Sequence, residues 1–154
     1  MPRKLLLLGL SLVACGLFVG CSSTSLTVKF VAIEPVNELQ PGESRPVDIR
    51  IYQLKDDAKF KAATVDEIWE NDKAVLADAL IEVKLGESIF PEKADKPQGK
   101  EITLDPLNAD CKFVGVLALY KNKDAKGDQK TVIAVADASS VTFELTGNHI
   151  KLKK

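Results

Sequence analysis

Apolar and polar residues alternate with period two along most of this chain, and that pattern restricts the fold more than any other feature of the sequence. Leu26, Val28, Phe30 and Ala32 fall on one face of a strand, with Thr27, Lys29, Val31 and Ile33 on a mixed second face. Val47, Ile49 and Ile51 alternate with Asp48, Arg50 and Tyr52 in a second strand that ends near Leu54. Between them, Glu34 to Arg45 reads as a loop, because Pro35 and Pro41-Gly42 break any ladder. Leu80 to Lys84 alternates weakly, Gly86 punctuates it, and Ser88-Ile89-Phe90 runs into Pro91. A turn at Asp95 to Gly99 leads into a strand over Lys100 to Leu104, closed by Asp105-Pro106. Phe113 to Tyr120 is nearly all apolar, as a central strand covered on both faces should be. A charged tip at Asn122 to Asp128 precedes strands over Thr131 to Ala136 and Val141 to Leu145, and Thr146-Gly147-Asn148 turns into Ile150-Lys151-Leu152. Strands at intervals of about ten residues with turn signals between them predict an all-β sandwich. No parallel βαβ rhythm appears.

The period changes once, between Lys55 and about Leu80. Asp56 to Ala63 suits a short helix, and Thr64-Val65-Asp66-Glu67 is a capping box for a second one. Val65, Ile68, Trp69 and Leu76 recur at helical spacing, so Trp69 is expected to pack this helical insertion onto a sheet.

The first 20 residues obey neither period. Arg3 and Lys4 precede Leu5 to Gly20, a stretch with no charge in which 12 of 16 residues are apolar. A run near 15 residues is short for a spanning helix, which needs about 20, and fits an export-signal core. Gly20-Cys21 closes it in the manner of a lipobox, followed by a polar Ser22-Ser23-Thr24-Ser25 tether. Cleavage there makes residues 1–20 a discarded signal, 21–25 an acylated cysteine with its tether, and 26–154 the folded domain. Leu12-Val13-Ala14-Cys15 is the alternative, but it would leave Gly16 to Gly20 exposed on the mature chain. With Cys21 acylated and Cys15 removed, Cys111 stands alone as a loop or strand-edge thiol, partly exposed between Asp110 and Lys112, and no intramolecular disulfide can form. The mature 134 residues then hold 19 basic and 22 acidic side chains.

That mildly acidic, interspersed balance gives no footprint for nucleic acid. His149 has no Cys or His partner at metal spacing, no serine stands in a nucleophile elbow, and Asn122 to Asp128 lacks the calcium-loop register. Asp56 and Asp57 are adjacent, so on a helix they diverge and act as helix-start charges. Neither an enzyme nor a cofactor is expected.

Several stretches carry a resemblance. Arg45-Pro46-Val47-Asp48-Ile49-Arg50-Ile51-Tyr52-Gln53-Leu54, followed by charged residues and Phe60, is similar to the Pro-Val-x-x-Arg-x-Tyr-Gln-Leu stretch of the TssJ (VasD) lipoproteins of type VI secretion systems. Trp69 to Asp72, Phe113-Val114-Gly115-Val116 and Leu145-Thr146-Gly147-Asn148-His149-Ile150 resemble further family segments in the same order. The chain departs from the family in its longer Pro91 to Gly99 segment and in a 122–130 tip without tryptophan. The resemblance implies a transthyretin-like sandwich, lipid-anchored on the periplasmic side of the outer membrane. It also implies binding to the periplasmic C-terminal domain of TssM, and through it assembly with TssL. The family's contact loop corresponds to Glu34 to Ser44, which makes Glu34, Pro35, Val36, Asn37, Glu38, Leu39 and Gln40 the candidate partner-binding residues. Val36 and Leu39 are the apolar members of that polar, proline-bounded loop, free to anchor an interface or to fold back onto the sandwich edge. The alternative function is a transthyretin-like ligand carrier, which would need a deep apolar pocket between the sheets.

Overall fold

A computed structural model describes residues 25–122, 127–137 and 139–153. Among the described residues, nine strands form two sheets. They are β1 (Leu26–Val36), β2 (Val47–Leu54), β3 (Leu80–Ile89), β4 (Pro91–Glu92), β5 (Lys100–Leu104), β6 (Phe113–Leu119), β7 (Lys130–Ala134), β8 (Ser140–Gly147) and β9 (His149–Lys153). One sheet runs β4-β1-β8-β9, with β5 also paired to β1, and the other runs β3-β2-β6-β7. The helices α1 (Ala58–Ala62) and α2 (Val65–Leu76) lie between β2 and β3, where the period changed. This is the all-β sandwich with a helical insertion that the spacing predicts.

The alternating faces close on each other. Leu26, Val28, Phe30 and Ala32 of β1 meet Phe143 and Leu145 of β8 and Val114, Val116 and Ala118 of β6 in one buried cluster. The Phe30 and Phe143 rings stack with centroids 5.7 Å apart, filling the space between the sheets. A second cluster lies on the outer face of the β2–β6 sheet, where Tyr52, Leu54 and Leu117 receive Phe60 from α1 and Ile68 and Leu76 from α2. That second layer explains why β6 is buried on both faces.

The capping box forms as read. Thr64 Oγ1 accepts from the Glu67 backbone N–H at 3.2 Å, and the Glu67 carboxylate accepts from the Thr64 N–H at 2.7 Å. These bonds hold the Glu67 carboxyl below its ordinary range.

Four expectations need correction. First, β1 does not stop before Glu34 but continues to Val36 with a register shift against β8, because Val36 has a buried place waiting for it. Second, Gly86 does not end a strand: with φ at +75° it makes a bulge that shifts the register between Ile49 and Ile51, and β3 runs on to Ile89. Third, β7 ends at Ala134, and Val135–Asp137 form a 3₁₀ turn. Fourth, Cys111 is 9% exposed, not partly exposed, and that burial pushes its thiol pKa up; the thiol donates to the Phe113 carbonyl. One arrangement had no sequence signal. β1 pairs in parallel with β8, more than a hundred residues later, over Thr27 to Ile33. Cys15, Cys21 and the tether before Ser25 lie outside the described residues.

Candidate partner-binding site

The strand directions give the sandwich two poles. β1 begins at one and delivers the segment Asn37–Pro46 at the other, together with the β6–β7 connection and the β8–β9 turn. Asn37 ties these three connections together. It is fully buried with φ at +51°, a left-handed conformation that asparagine tolerates better than most residues. Its backbone N–H donates to the Gly147 carbonyl at 2.7 Å, its Nδ2 donates to the Pro46 carbonyl at 2.6 Å, and its Oδ1 accepts from the Lys121 N–H at 2.7 Å. Tyr120 braces the same pole by donating its hydroxyl to the His149 carbonyl at 2.7 Å, and His149 Nδ1 accepts from the Asp128 N–H at 3.3 Å.

The loop itself is held by its own short-range bonds. Val36 N–H donates to Ser44 Oγ, and Arg45 N–H donates back to the Val36 carbonyl at 3.0 Å. Glu38 accepts from the Gly42 N–H at 2.6 Å, Glu43 N–H donates to the Gln40 carbonyl, and Arg45 pairs with Glu43 at 2.8 Å. Gly42, with φ at +84°, supplies the tight reversal this pattern needs. The result is a braced loop that turns at Pro41-Gly42 and leaves Leu39 half exposed just before the turn.

The seven sequence candidates therefore divide. Glu34, Pro35, Leu39 and Gln40 are exposed, and Glu38 is half-buried. Val36 and Asn37 are fully buried. Of the two placements open to Val36 and Leu39 in the sequence, Val36 takes the inward one and packs into the core cluster, and Leu39 remains as the loop's exposed apolar side chain.

Phe90 escaped the sequence reading. It is 68% exposed in the crossover from β3 to β4. Val47 pairs with Ile89, so Phe90 lies one step outward, opposite Pro46 at the foot of the loop. The signal was two consecutive large apolar residues at a strand end: Ile89 faces in, and Phe90 must face out.

Elsewhere the described residues assemble no cluster of His, Cys, Asp and Glu that could hold a metal. An open cavity of about 370 Å³ lies between Phe60, Val65 and the Gly127–Val132 segment, outside the sandwich. Another, of about 380 Å³, follows the seam between β3 and β5.

Against this geometry, residues 24–153 match the family model of the type VI secretion lipoproteins VasD, EvfM and TssJ. The chain belongs to the TssJ family. No curated protein matches it in sequence. Among solved structures, it is similar to Serratia marcescens Lip, described as a membrane-bound component of the type VI secretion system. That likeness has a TM-score of 0.71 at 21% identity, covers 85% of this chain and 98% of Lip, and shows the fold. A chain in the structure described as the TssM C-terminal domain (869–1107) from EAEC matches with a TM-score of 0.67 at 27% identity. The match covers 83% of this chain and 99% of that one. A chain of a type VI membrane complex gives 0.72 at 26% identity, covering 85% and 98%. The TssJ family is a component of a secretion apparatus, not an enzyme family. Among the described residues no helix is long and apolar enough to cross a membrane.

The Pro-Val-x-x-Arg-x-Tyr-Gln-Leu stretch in this TssJ-family chain builds the fold. The Arg50 guanidinium lies 3.7 Å over the Trp69 ring, donates to the Trp69 carbonyl at 2.8 Å, and faces Asp72 at 3.8 Å. It clamps α2 to the sheet. Trp69 packs the helix onto the sheet as its spacing predicts. Gln53, 5% exposed, joins Glu82 of β3 to the Asn108 N–H, with bonds of 3.0 and 2.9 Å.

Proposed function

We propose that this TssJ-family lipoprotein is acylated at Cys21, anchors in the outer membrane from the periplasmic side, and holds the type VI membrane complex by binding the periplasmic C-terminal domain of TssM. TssL would join through TssM. The observation that carries this reading is the loop: cross-braced by its own hydrogen bonds, it leaves Leu39 exposed instead of burying it. A preordered loop loses little entropy on binding, so an exposed apolar side chain on it is an efficient anchor. The likeness to a chain in the TssM domain structure supports the same partner. Because 83% of this 154-residue chain covers 99% of that one, the matched chain is far shorter than the range 869–1107 and fits a companion of the TssM domain.

The loop exchange that tests this must spare the core. Replacing residues 38–43 with Gly and Ser keeps Val36, Asn37 and Ser44 in place. The thermal midpoint should stay within a few degrees while affinity for the purified TssM domain falls at least a hundredfold in titration calorimetry. An unchanged Kd overturns the assignment. For the anchor, Cys21→Ser should move the protein from the membrane pellet to the soluble fraction or leave an uncleaved precursor. The same result from Cys15→Ser alone would assign cleavage to Cys15.

A further inference from the structure

Three large apolar side chains stand exposed among the described residues: Leu39, Phe90 and Leu152. Leu39 and Phe90 belong to the same pole, one in the β1–β2 loop and the other opposite Pro46 at its foot. Leu152 lies apart on β9, in register with Phe143 at mid-sheet. We infer that Leu39 and Phe90 form a two-point apolar contact for a protein surface that presents an apolar recess flanked by lysine or arginine. The inference rests on the loop reading above and adds Phe90, from a different part of the chain, as a second anchor.

An anchored tether does not cover this pole. β1 begins and β9 ends toward the opposite pole. The ten residue steps of β1 separate the poles by about 33 Å. The five steps from Cys21 to Leu26 reach about 18 Å at full extension, so a tether anchored at Cys21 cannot return to cover Leu39 and Phe90. Charge narrows the occupant further. The loop carries Glu34, Glu38 and Glu43 against Arg45 alone, and Glu43 is already paired with that arginine. A phosphate-rich lipid surface would be repelled by such a rim, and so would the same pole of a second copy. A basic rim on another protein is complementary to it. Phe90 adds reach because its ring is the largest exposed apolar group described, and aromatic anchors dominate protein interfaces.

The experiment uses the acylated chain in detergent and the purified periplasmic C-terminal domain of TssM. Leu39→Ala and Phe90→Ala should each weaken binding at least tenfold, whereas Leu152→Ala should change it less than twofold. Both exposed positions leave the core untouched, so thermal midpoints should match the parent. Phe90→Glu, which adds a like charge to the rim, should weaken binding more than Phe90→Ala. Raising NaCl from 0.1 to 0.5 M should weaken the parent complex several-fold. If Leu39→Ala weakens binding but Phe90→Ala stays within twofold, the two-point contact is overturned and the loop reading stands. If neither substitution matters, both fall. If only Phe90→Ala acts, the paired contact is overturned and the loop reading fails with it.

Discussion

Replacing Asn37 with alanine should destabilise the domain by about 3 kcal/mol in urea denaturation, because it removes two side-chain hydrogen bonds and keeps a strained backbone. The Pro46 carbonyl loses its donor and the Lys121 N–H loses its acceptor, both supplied by a side chain with no exposure of its own. Each lost hydrogen bond is worth roughly 0.5–1.5 kcal/mol. Alanine must also hold φ near +51°, a further ~1 kcal/mol that asparagine largely avoids. Asn37→Gly separates the two contributions, since it removes the bonds but relaxes the backbone. It should recover about 1 kcal/mol relative to alanine. A loss below 1 kcal/mol for Asn37→Ala would show that the loop is fixed by something else. Binding should fall with stability here, which distinguishes Asn37 from the exposed loop residues, where binding alone should respond.

Phe60→Ala should cost about 3–5 kcal/mol, the usual range for an aromatic removed from a packed site. Phe60 is 1% exposed and is the plug by which α1 seals the outer layer against the sheet. Its ring tilts against Tyr52 at 5.6 Å, and Lys130 Nζ lies 5.5 Å from it while donating to the Phe60 and Lys61 carbonyls. Loss of water around that ammonium lowers the Lys130 pKa. Beneath the ring lies Gly115 of β6, where a Cβ would come within 2.9 Å of Phe60. Gly115→Ala should therefore destabilise by about 1–3 kcal/mol through overpacking. Combined with Phe60→Leu it should cost less than the two separate losses, because the smaller side chain vacates the space the new methyl needs. Trp69 is the chain's sole tryptophan and sits on the neighbouring helix, so its fluorescence reports this layer directly. Strict additivity would show that Phe60 and Gly115 do not share that space.

Much of the fold was legible because local patterns and tertiary demands agree. β2, β5 and β6 follow their hydrophobic alternation or continuous apolar run almost to the residue, and the capping box set the start of α2. The loop was misread where local and tertiary signals diverge. Pro35 and the polar residues around it look like loop, yet Val36 is drawn into a core that closes from β8, a strand remote in sequence. Asn37 looks like a turn residue and is one, but its burial depends on the carbonyl of Pro46 and the N–H of Lys121 arriving at the same point. Phe90 reads as the end of a strand, and its exposure follows from the crossover between sheets.

By itself, the sequence determined the sandwich class, the place of the helical insertion and the bounds of most strands, because periods of two and 3.6 and proline punctuation are properties of the chain over a few residues, while the family resemblance singled out the candidate loop. The tertiary structure decided which loop side chains remain available to a partner. Val36 and Asn37 turn inward, Leu39 stays out, and Phe90 joins it from another segment. That division depends on burial, and burial is fixed only when strands more than a hundred residues apart meet.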